Sequence, residues 1–220
     1  MTTARIASTV TTVAVALAFA ALTACADPDD GAADTDGGGE ETEVITTVTL
    51  SFTPATGAVG TASFRDPDGD GGMSGTTDPI TLAAGIEYAM TVAFRNELAN
   101  PPEDITTEVQ DEAEDHQVFV LGAAVTGPAM AMTPSAVLEH AYADAESDYT
   151  TNTGDDLPVG LANTITTLGA GAGELEIMLR HMPELNGAPQ KVGGLAEALA
   201  GGEALPGEVD AKVTFDVTVE

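Results

Sequence analysis

Basic residues are scarce in this chain: six Lys and Arg stand against 36 Asp and Glu, a formal charge of −30 over 220 residues. Phosphate backbones are bound through Lys and Arg, so nucleic acid is excluded as a partner. Attraction of the protein's own charge to anionic lipid headgroups is excluded in the same way. The balance fits a solvated protein held off a membrane surface, or cation-rich surroundings. Tryptophan is absent and aromatic residues make up 4%. The core must therefore be built from Val, Ile, Leu, Ala and Met. One cysteine, Cys25, allows no internal disulfide, so stability has to come from packing or from bound cations. Catalytic signatures are missing too. There is no nucleophile elbow, P-loop, HExxH helix or dinucleotide fingerprint, and the expectation is a non-enzymatic protein.

What is present begins with an apolar N-terminal segment. Arg5 is its single basic side chain, and Ile6 to Leu22 carries no charge. Ser8, Thr9, Thr11 and Thr12 interrupt it and leave Val13 to Leu22 as the hydrophobic centre. That is too short to span a hydrocarbon layer of ~30 Å. Small residues Thr23 and Ala24 then precede Cys25, the layout of a secretory signal. A weak transmembrane anchor and a signal cleaved elsewhere are the alternatives, and both flanks and length fit them less well.

Leu22-Thr23-Ala24-Cys25 resembles the lipobox of bacterial lipoproteins. The resemblance implies cleavage before Cys25, a thioether-linked diacylglycerol on its sulfur and, usually, N-acylation. Lipidation also accounts for a lone thiol in an exported protein. Two or three acyl chains anchor firmly where one does not, at ~0.8 kcal/mol per buried methylene. The implied partner is a membrane, reached through the Cys25 lipid. Without residues 1–24 the chain keeps 196 residues and 5 basic against 36 acidic side chains, a formal −31.

Residues 25–43 read as the lipidated cysteine and a disordered acidic linker. Ala26 to Glu43 holds eight acids and the run Gly37-Gly38-Gly39, with no apolar residue larger than Ala apart from Pro28. Such a segment cannot bury enough surface to offset its conformational entropy. An acidic tract directly behind a lipidated cysteine is similar to surface-export signals in lipoproteins of the Bacteroidota. In a Gram-negative cell, Ala26 at the next position implies sorting to the outer membrane by the same resemblance.

Residues 44–220 read as one β domain. Val44–Phe52 and Thr61–Arg65 have strand composition, with turn signals at Pro54 and Gly57 between them. Pro79–Leu82 reads as a short strand. Ile86–Phe94 alternates apolar and polar residues with the period of two that a half-buried strand requires. Glu103–Glu114 is the one helix, with Ile105, Val109 and Ala113 four apart on one face and acids at its C-terminal end, where they oppose the helix dipole. His116–Val125 is apolar on both faces, and Ala136–Tyr142 reads as a strand. Leu161–Leu168 and Glu174–Leu179 pair as a hairpin. Val192–Leu199 gives a turn or two of helix, and Val209–Val219 is a long alternating final strand. About eight or nine strands at sandwich-like intervals predict an antiparallel, immunoglobulin-like β-sandwich with one inserted short helix. An up-and-down β-barrel is the alternative.

A second resemblance covers most of Glu43 to Glu220. Asp66-Pro67-Asp68-Gly69-Asp70-Gly71-Gly72, Asp78-Pro79-Ile80-Thr81-Leu82, Glu114-Asp115-His116-Gln117, Leu179-Arg180-His181 and Val213-Thr214-Phe215-Asp216-Val217 occur in this order. The series is similar to small lipoproteins frequent in the Bacteroidota, some labelled "type 1 periplasmic binding fold". That fold alternates strands and helices, whereas the pattern here is strand after strand. The resemblance implies no particular activity.

Two constellations could bind cations. Asp66, Asp68 and Asp70, followed by Gly71, match the first half of a calcium loop, in which alternate carboxylates converge on a hard ion. Thr77 stands where a bidentate Glu would complete it, and a solvated Asp/Gly loop is the alternative. The acids Asp144, Glu146, Asp148, Asp155 and Asp156 form a second acidic loop that could help such a site, though a solvated polar loop is the fuller fit. The histidines His116, His140 and His181 lie at or near strand ends, which cluster in a sandwich, so a transition-metal site built from two or three of them is conceivable. No close His-x-His pair supports it, and separate structural histidines bonded to carboxylates fit as well. Met130-Ala131-Met132 resembles soft-metal loops of copper proteins, though core filling is the commoner use of methionine.

The leading expectation is a lipid-anchored cell-envelope protein that serves as a non-enzymatic binding or structural module. The alternative is a metal-handling (Cu/Zn) envelope lipoprotein that uses His116 and His181.

Overall fold

In the computed structural model, residues 43–69, 75–152 and 154–220 are described. The signal, Cys25 and the linker up to residue 42 lie outside them, as do Asp70 and Met73.

Alternation decides most of the architecture. In β1 (Thr47–Pro54) Val48, Leu50 and Phe52 are buried, and in β5 (Glu87–Arg95) the buried side chains are Tyr88, Met90, Val92 and Phe94. Their neighbours face outward, so each strand buries one face, as its period of two requires. Ile86, read as part of this buried face, lies just before β5 and is exposed. β2 (Gly60–Arg65), β3 (Thr76–Thr77), β7 (Val125–Thr126), β8 (Leu138–Tyr142) and β9 (Ala162–Thr167) complete a seven-stranded sheet ordered β3-β2-β1-β5-β9-β8-β7. β4 (Ile80–Leu82), β6 (His116–Leu121), β10 (Gly171–His181) and β11 (Glu208–Val219) form a four-stranded sheet ordered β4-β11-β10-β6.

The strands divide between two sheets, and the neighbours β1–β5, β5–β9, β4–β11 and β10–β6 are non-consecutive, which is the order of a sandwich and not of an up-and-down barrel. Side chains of both sheets meet in one core. Leu50, Phe52, Met90 and Phe94 from one side pack in the same cluster as Leu175, Ile177, Phe215 and Val217 from the other. Pairing is antiparallel except at two edges, β4 against β11 and β7 against β8, which are parallel. Within residues 41–220 the chain is one compact unit, and no helix among the described residues is long and apolar enough to cross a membrane.

The expected hairpin of Leu161–Leu168 with Glu174–Leu179 does not form. β9 pairs with β5 and β8, whereas β10 pairs with β11 and β6. The connection at residues 168–170 passes from one sheet to the other. Both strands carry an alternating core face, Ile165 and Thr167 in β9 and Leu175, Ile177 and Leu179 in β10, and that pattern is identical whichever sheet a strand joins.

Two α-helices are present among the described residues, the inserted one and a short one where Val192–Leu199 reads as a turn or two of helix. α1 (Ile105–Asp111) is shorter than its apolar pattern suggested but buries Ile105, Val109 and, just past its end, Ala113 as read. It has no basic residue in its last turn. α2 (Leu195–Ala200) covers the outer face of β6. There Phe119 and Leu121 pack with Met178, Met182, Leu195 and Ala196 in a second apolar cluster. β6 is consequently buried on both faces, as its unbroken apolar run predicts.

Candidate metal centre

Strand register creates the centre. β6 and β10 run antiparallel with His116 directly opposite His181, and Val118 opposite Leu179 on the same core-facing side. Directly opposed side chains in a sheet stand close enough to touch. The two imidazoles stack, with ring centroids 4.4 Å apart and planes within 4° of parallel. Their strand ends are held firmly. The Arg180 guanidinium donates to the carbonyls of Leu205, Pro206 and Gly207. Gly207 itself has φ +70°, and a Cβ there would collide with the His181 carbonyl.

The third group arrives through a β-bulge. β10 and β11 pair with Leu179 opposite Ala211 and then Arg180 opposite Val209, so Asp210 has no partner in the ladder. By alternation Asp210 belongs with Lys212 on the outward face of β11. The extra residue re-aims it, as bulges do. Its side chain is 3% exposed and points at His116, with Oδ2 3.9 Å from Nε2. The fourth group is Glu43, the residue read as the end of the linker. It lies against the domain instead, with Oε1 3.6 Å from the same Nε2. The fifth, Glu112, sits just past the C-terminal end of α1, with Oε2 3.8 Å from His116 Nδ1 and 4.0 Å from His181 Nε2.

One hydrogen bond sets the chemistry of His116, whose side chain is fully buried. Its Nδ1 lies 3.3 Å from the backbone oxygen of Glu112, which can only accept. Nδ1 therefore carries the proton and Nε2 presents a lone pair. That lone pair faces two carboxylates. His116 Nε2, Glu43 Oε2 and Asp210 Oδ2 are all buried and have no hydrogen-bond partner among the described residues. Three acceptor side chains gather here, each with a buried atom that has no donor among the described residues, an arrangement that a cation or protons must satisfy.

The titration behaviour follows from that crowding. Burial, and then repulsion from Asp210, Glu108 and Glu112, push Glu43 up to about 8. Burial raises Asp210 to about 6, with Glu208 adding to the rise and His181 and Arg180 opposing it. Burial and the neighbouring His181 push His116 down to about 4, so it is neutral at pH 7 and available as a ligand.

Two groups of metal-competent side chains occur among the described residues, and both include His116. These are Glu43–His116–Asp210 and Glu112–His116–His181, with ligand atoms within 4.8 Å of one another in each. Two ligands of a tetrahedral zinc ion, each ~2.0–2.1 Å from the metal, stand roughly 3.3 Å apart. The 3.6 and 3.9 Å spacings about His116 Nε2 need only small closures to reach that. One imidazole and two carboxylates are a borderline-to-hard donor set that suits zinc or a similar divalent ion better than copper(I). The backbone carbonyl on Nδ1 is the outer-shell partner that orients metal-binding histidines generally.

Of the histidines named from sequence, the structure brings His116 and His181 together and leaves His140 out. His140 lies on β8 in the other sheet, its Nε2 2.8 Å from Asn163 Oδ1 and its ring edge-on to Tyr142. The methionine pair is not at the centre either. Met132 is 84% exposed and Met130 packs on the second apolar cluster. In the loop at Asp66, the buried Asp66 carboxylate accepts from the Gly69 amide, and Asp70 lies outside the described residues. No ligand group of three gathers there among the described residues.

The acidic loop read as solvated is partly interior. Asp144 accepts from the amides of Gly160 and Ala162 and from the Tyr149 hydroxyl. Glu146 forms a 2.7 Å ion pair with Lys191, both side chains almost fully buried, and the Lys191 ammonium also donates to the Ala113 carbonyl. This cluster pins the long loop carrying Lys191 to the end of α1, next to the histidine pair. Nothing in the local sequence of either loop signals the pairing, since 45 residues separate the partners. Glu43 and Asp210 were missed for related reasons. One follows an acidic run, and the other sits in an unbroken alternation.

No protein-family model, curated protein or solved structure matches the chain.

Proposed function

We propose that this protein is a lipid-anchored cell-envelope protein that binds a divalent transition-metal ion, zinc or one of similar chemistry, through Glu43, His116 and Asp210. The observation that carries the reading is the grouping of Glu43, His116 and Asp210, with ligand atoms within 4.8 Å of one another, where His116 Nε2, Glu43 Oε2 and Asp210 Oδ2 are buried and have no hydrogen-bond partner among the described residues. Hydrophobic packing alone would not retain such a group, because unpaired buried polar atoms destabilise a fold. A site kept at the expense of stability points to use. Three protein ligands leave a fourth position for solvent or for a donor from another molecule. The lipobox-like Leu22-Thr23-Ala24-Cys25 and the absence of catalytic signatures favour binding and holding of the ion over catalysis.

Calorimetric titration of the purified full chain with zinc tests this. One ion per chain is expected, with affinity lowered at least tenfold in His116→Gln and in Asp210→Asn. Absence of binding at micromolar zinc, or binding that both variants retain, would defeat the reading.

A further inference from the structure

His116 is buried, yet the residues around it lead outward in steps. Glu112 is 54% exposed, His181 19% and His116 0%. Glu43, Glu103, Glu108, Glu112 and His181 line an open cleft of about 430 Å³ that no Lys or Arg among the described residues borders. Clefts of one charge sign concentrate counter-ions and raise association rates by ~10–10³. The end of α1 adds to the field, because its last carbonyls are the negative pole of the helix and no basic side chain offsets them.

The outer group cannot be a second strong site at the same time as the buried one. His116 Nδ1 keeps its proton for the Glu112 carbonyl, so His116 offers a single lone pair, the one at Nε2. That leaves Glu112 and His181, 4.0 Å apart, as a two-donor group at the mouth of the cleft. Two donors open to solvent hold an ion weakly and exchange it fast. Glu43 belongs to both places. It lines the cleft, and its Oε1 is 3.6 Å from His116 Nε2.

Resting on the buried-site reading above, we propose that Glu112 and His181 form an outer exchange site that takes the divalent ion from solvent and passes it, by way of Glu43, to His116 and Asp210. The outer pair governs how fast the ion arrives and leaves. The inner three govern how tightly it is held.

Stopped-flow transfer of zinc between the full chain and a fluorescent zinc chelator separates the two roles. In Glu112→Gln/His181→Asn the association rate falls by about tenfold, the lower end of the range for charged clefts, and the dissociation rate falls with it because the pair lies on the ion's path in both directions, so the affinity stays within about threefold. Asp216→Asn, an exposed acid on β11 away from the cleft, leaves the rates unchanged and controls for net charge. Glu112→Gln alone, at an exposed position, carries the test if the double variant does not fold. Unaltered rates in these variants would overturn the exchange site and leave the buried site standing. An affinity that falls in step with the association rate would overturn it as well, since Glu112 and His181 would then be ligands of the bound state. If Glu43→Gln and Asp210→Asn bind zinc like the parent, the buried-site reading itself fails.

Discussion

The imidazole of His181 lies flat on that of His116, ring centroids 4.4 Å apart, because strand register sets the two residues opposite each other at the ends of β10 and β6. The stack turns one edge of His116 towards Glu112 and the other towards Glu43 and Asp210. A fold with little aromatic content spends a fully buried ring on a place where it meets acids rather than apolar groups.

That placement has a thermodynamic signature. At about pH 8 Asp210 is ionised and Glu43 partly so, both beside a neutral imidazole. Replacing a buried charge of this kind with a neutral isostere relieves desolvation and repulsion. Asp210→Asn and Glu43→Gln should therefore stabilise the chelator-treated protein by about 1 kcal/mol, or about 2–4 °C in Tm for a domain of this size. Zinc at a hundred times its Kd should stabilise the parent by about 2.7 kcal/mol and the variants far less. Thermal melts with chelator and with zinc check both halves. Variants that melt lower with chelator and still gain fully with zinc would contradict the site.

The Lys191–Glu146 pair behaves in the opposite way. Here the charges are matched, and Asn152 donates to the second Glu146 oxygen at 2.7 Å. Lys191→Met leaves Glu146 as an uncompensated buried carboxylate and should destabilise the domain by about 3–5 kcal/mol. Lys191→Met/Glu146→Leu removes both charges and should recover most of that loss. Urea unfolding of the two variants is the measurement, and a double variant no more stable than the single one would refute the pairing argument.

Much of the fold was legible because it rests on periodicity. The strands around Val48, Met90 and Phe215 show their buried faces in the alternation, and Ile105, Val109 and Ala113 show the helix. Partnership between strands was not legible, since β9 and β10 look alike whether they pair with each other or not. Two of the five groups of the candidate site were legible from composition. Histidine is rare enough here to draw notice, so His116 and His181 stood out. Asp210 could not, because a one-residue bulge leaves no mark on an alternating sequence, and Glu43 was one acid among many. Lys191 and Glu146 meet only through the tertiary fold.

His140 supplies a pH dependence distinct from the metal centre. Burial lowers its pKa from the usual 6.5, against the raising effects of the Asn163 hydrogen bond and of Asp144. A folded-state value below the unfolded one means that the folded protein binds fewer protons. The associated stability is complete above pH 6.5 and is lost as pH falls towards the folded value. One such group changes stability by at most about 1.4 kcal/mol per pH unit. His116, held down at about 4, acts in the same direction. His140→Gln should thus reduce, without abolishing, the decline in stability between about pH 6.5 and 5. Urea unfolding across that range checks it, and an unchanged slope would show that His140 titrates normally.

The anchor is tested apart from the site. Cys25 lies outside the described residues, and its role rests on Leu22-Thr23-Ala24-Cys25 and the apolar stretch before it. Two or three acyl chains, at ~0.8 kcal/mol per buried methylene, hold a protein on a membrane against dilution, whereas an uncleaved ten-residue apolar segment of this kind does not span one. In Cys25→Ser the thioether cannot form and the lipid-dependent cleavage step loses its substrate. The variant should then keep the uncleaved segment, lose radiolabelled palmitate and move from the membrane fraction towards the soluble one. The parent should float with membranes and carry label at Cys25. Equal label and equal partitioning of the two proteins would rule out lipidation at Cys25. Zinc affinity should be the same in both, because the proposed ligands Glu43, His116 and Asp210 all lie in the sequence after Cys25.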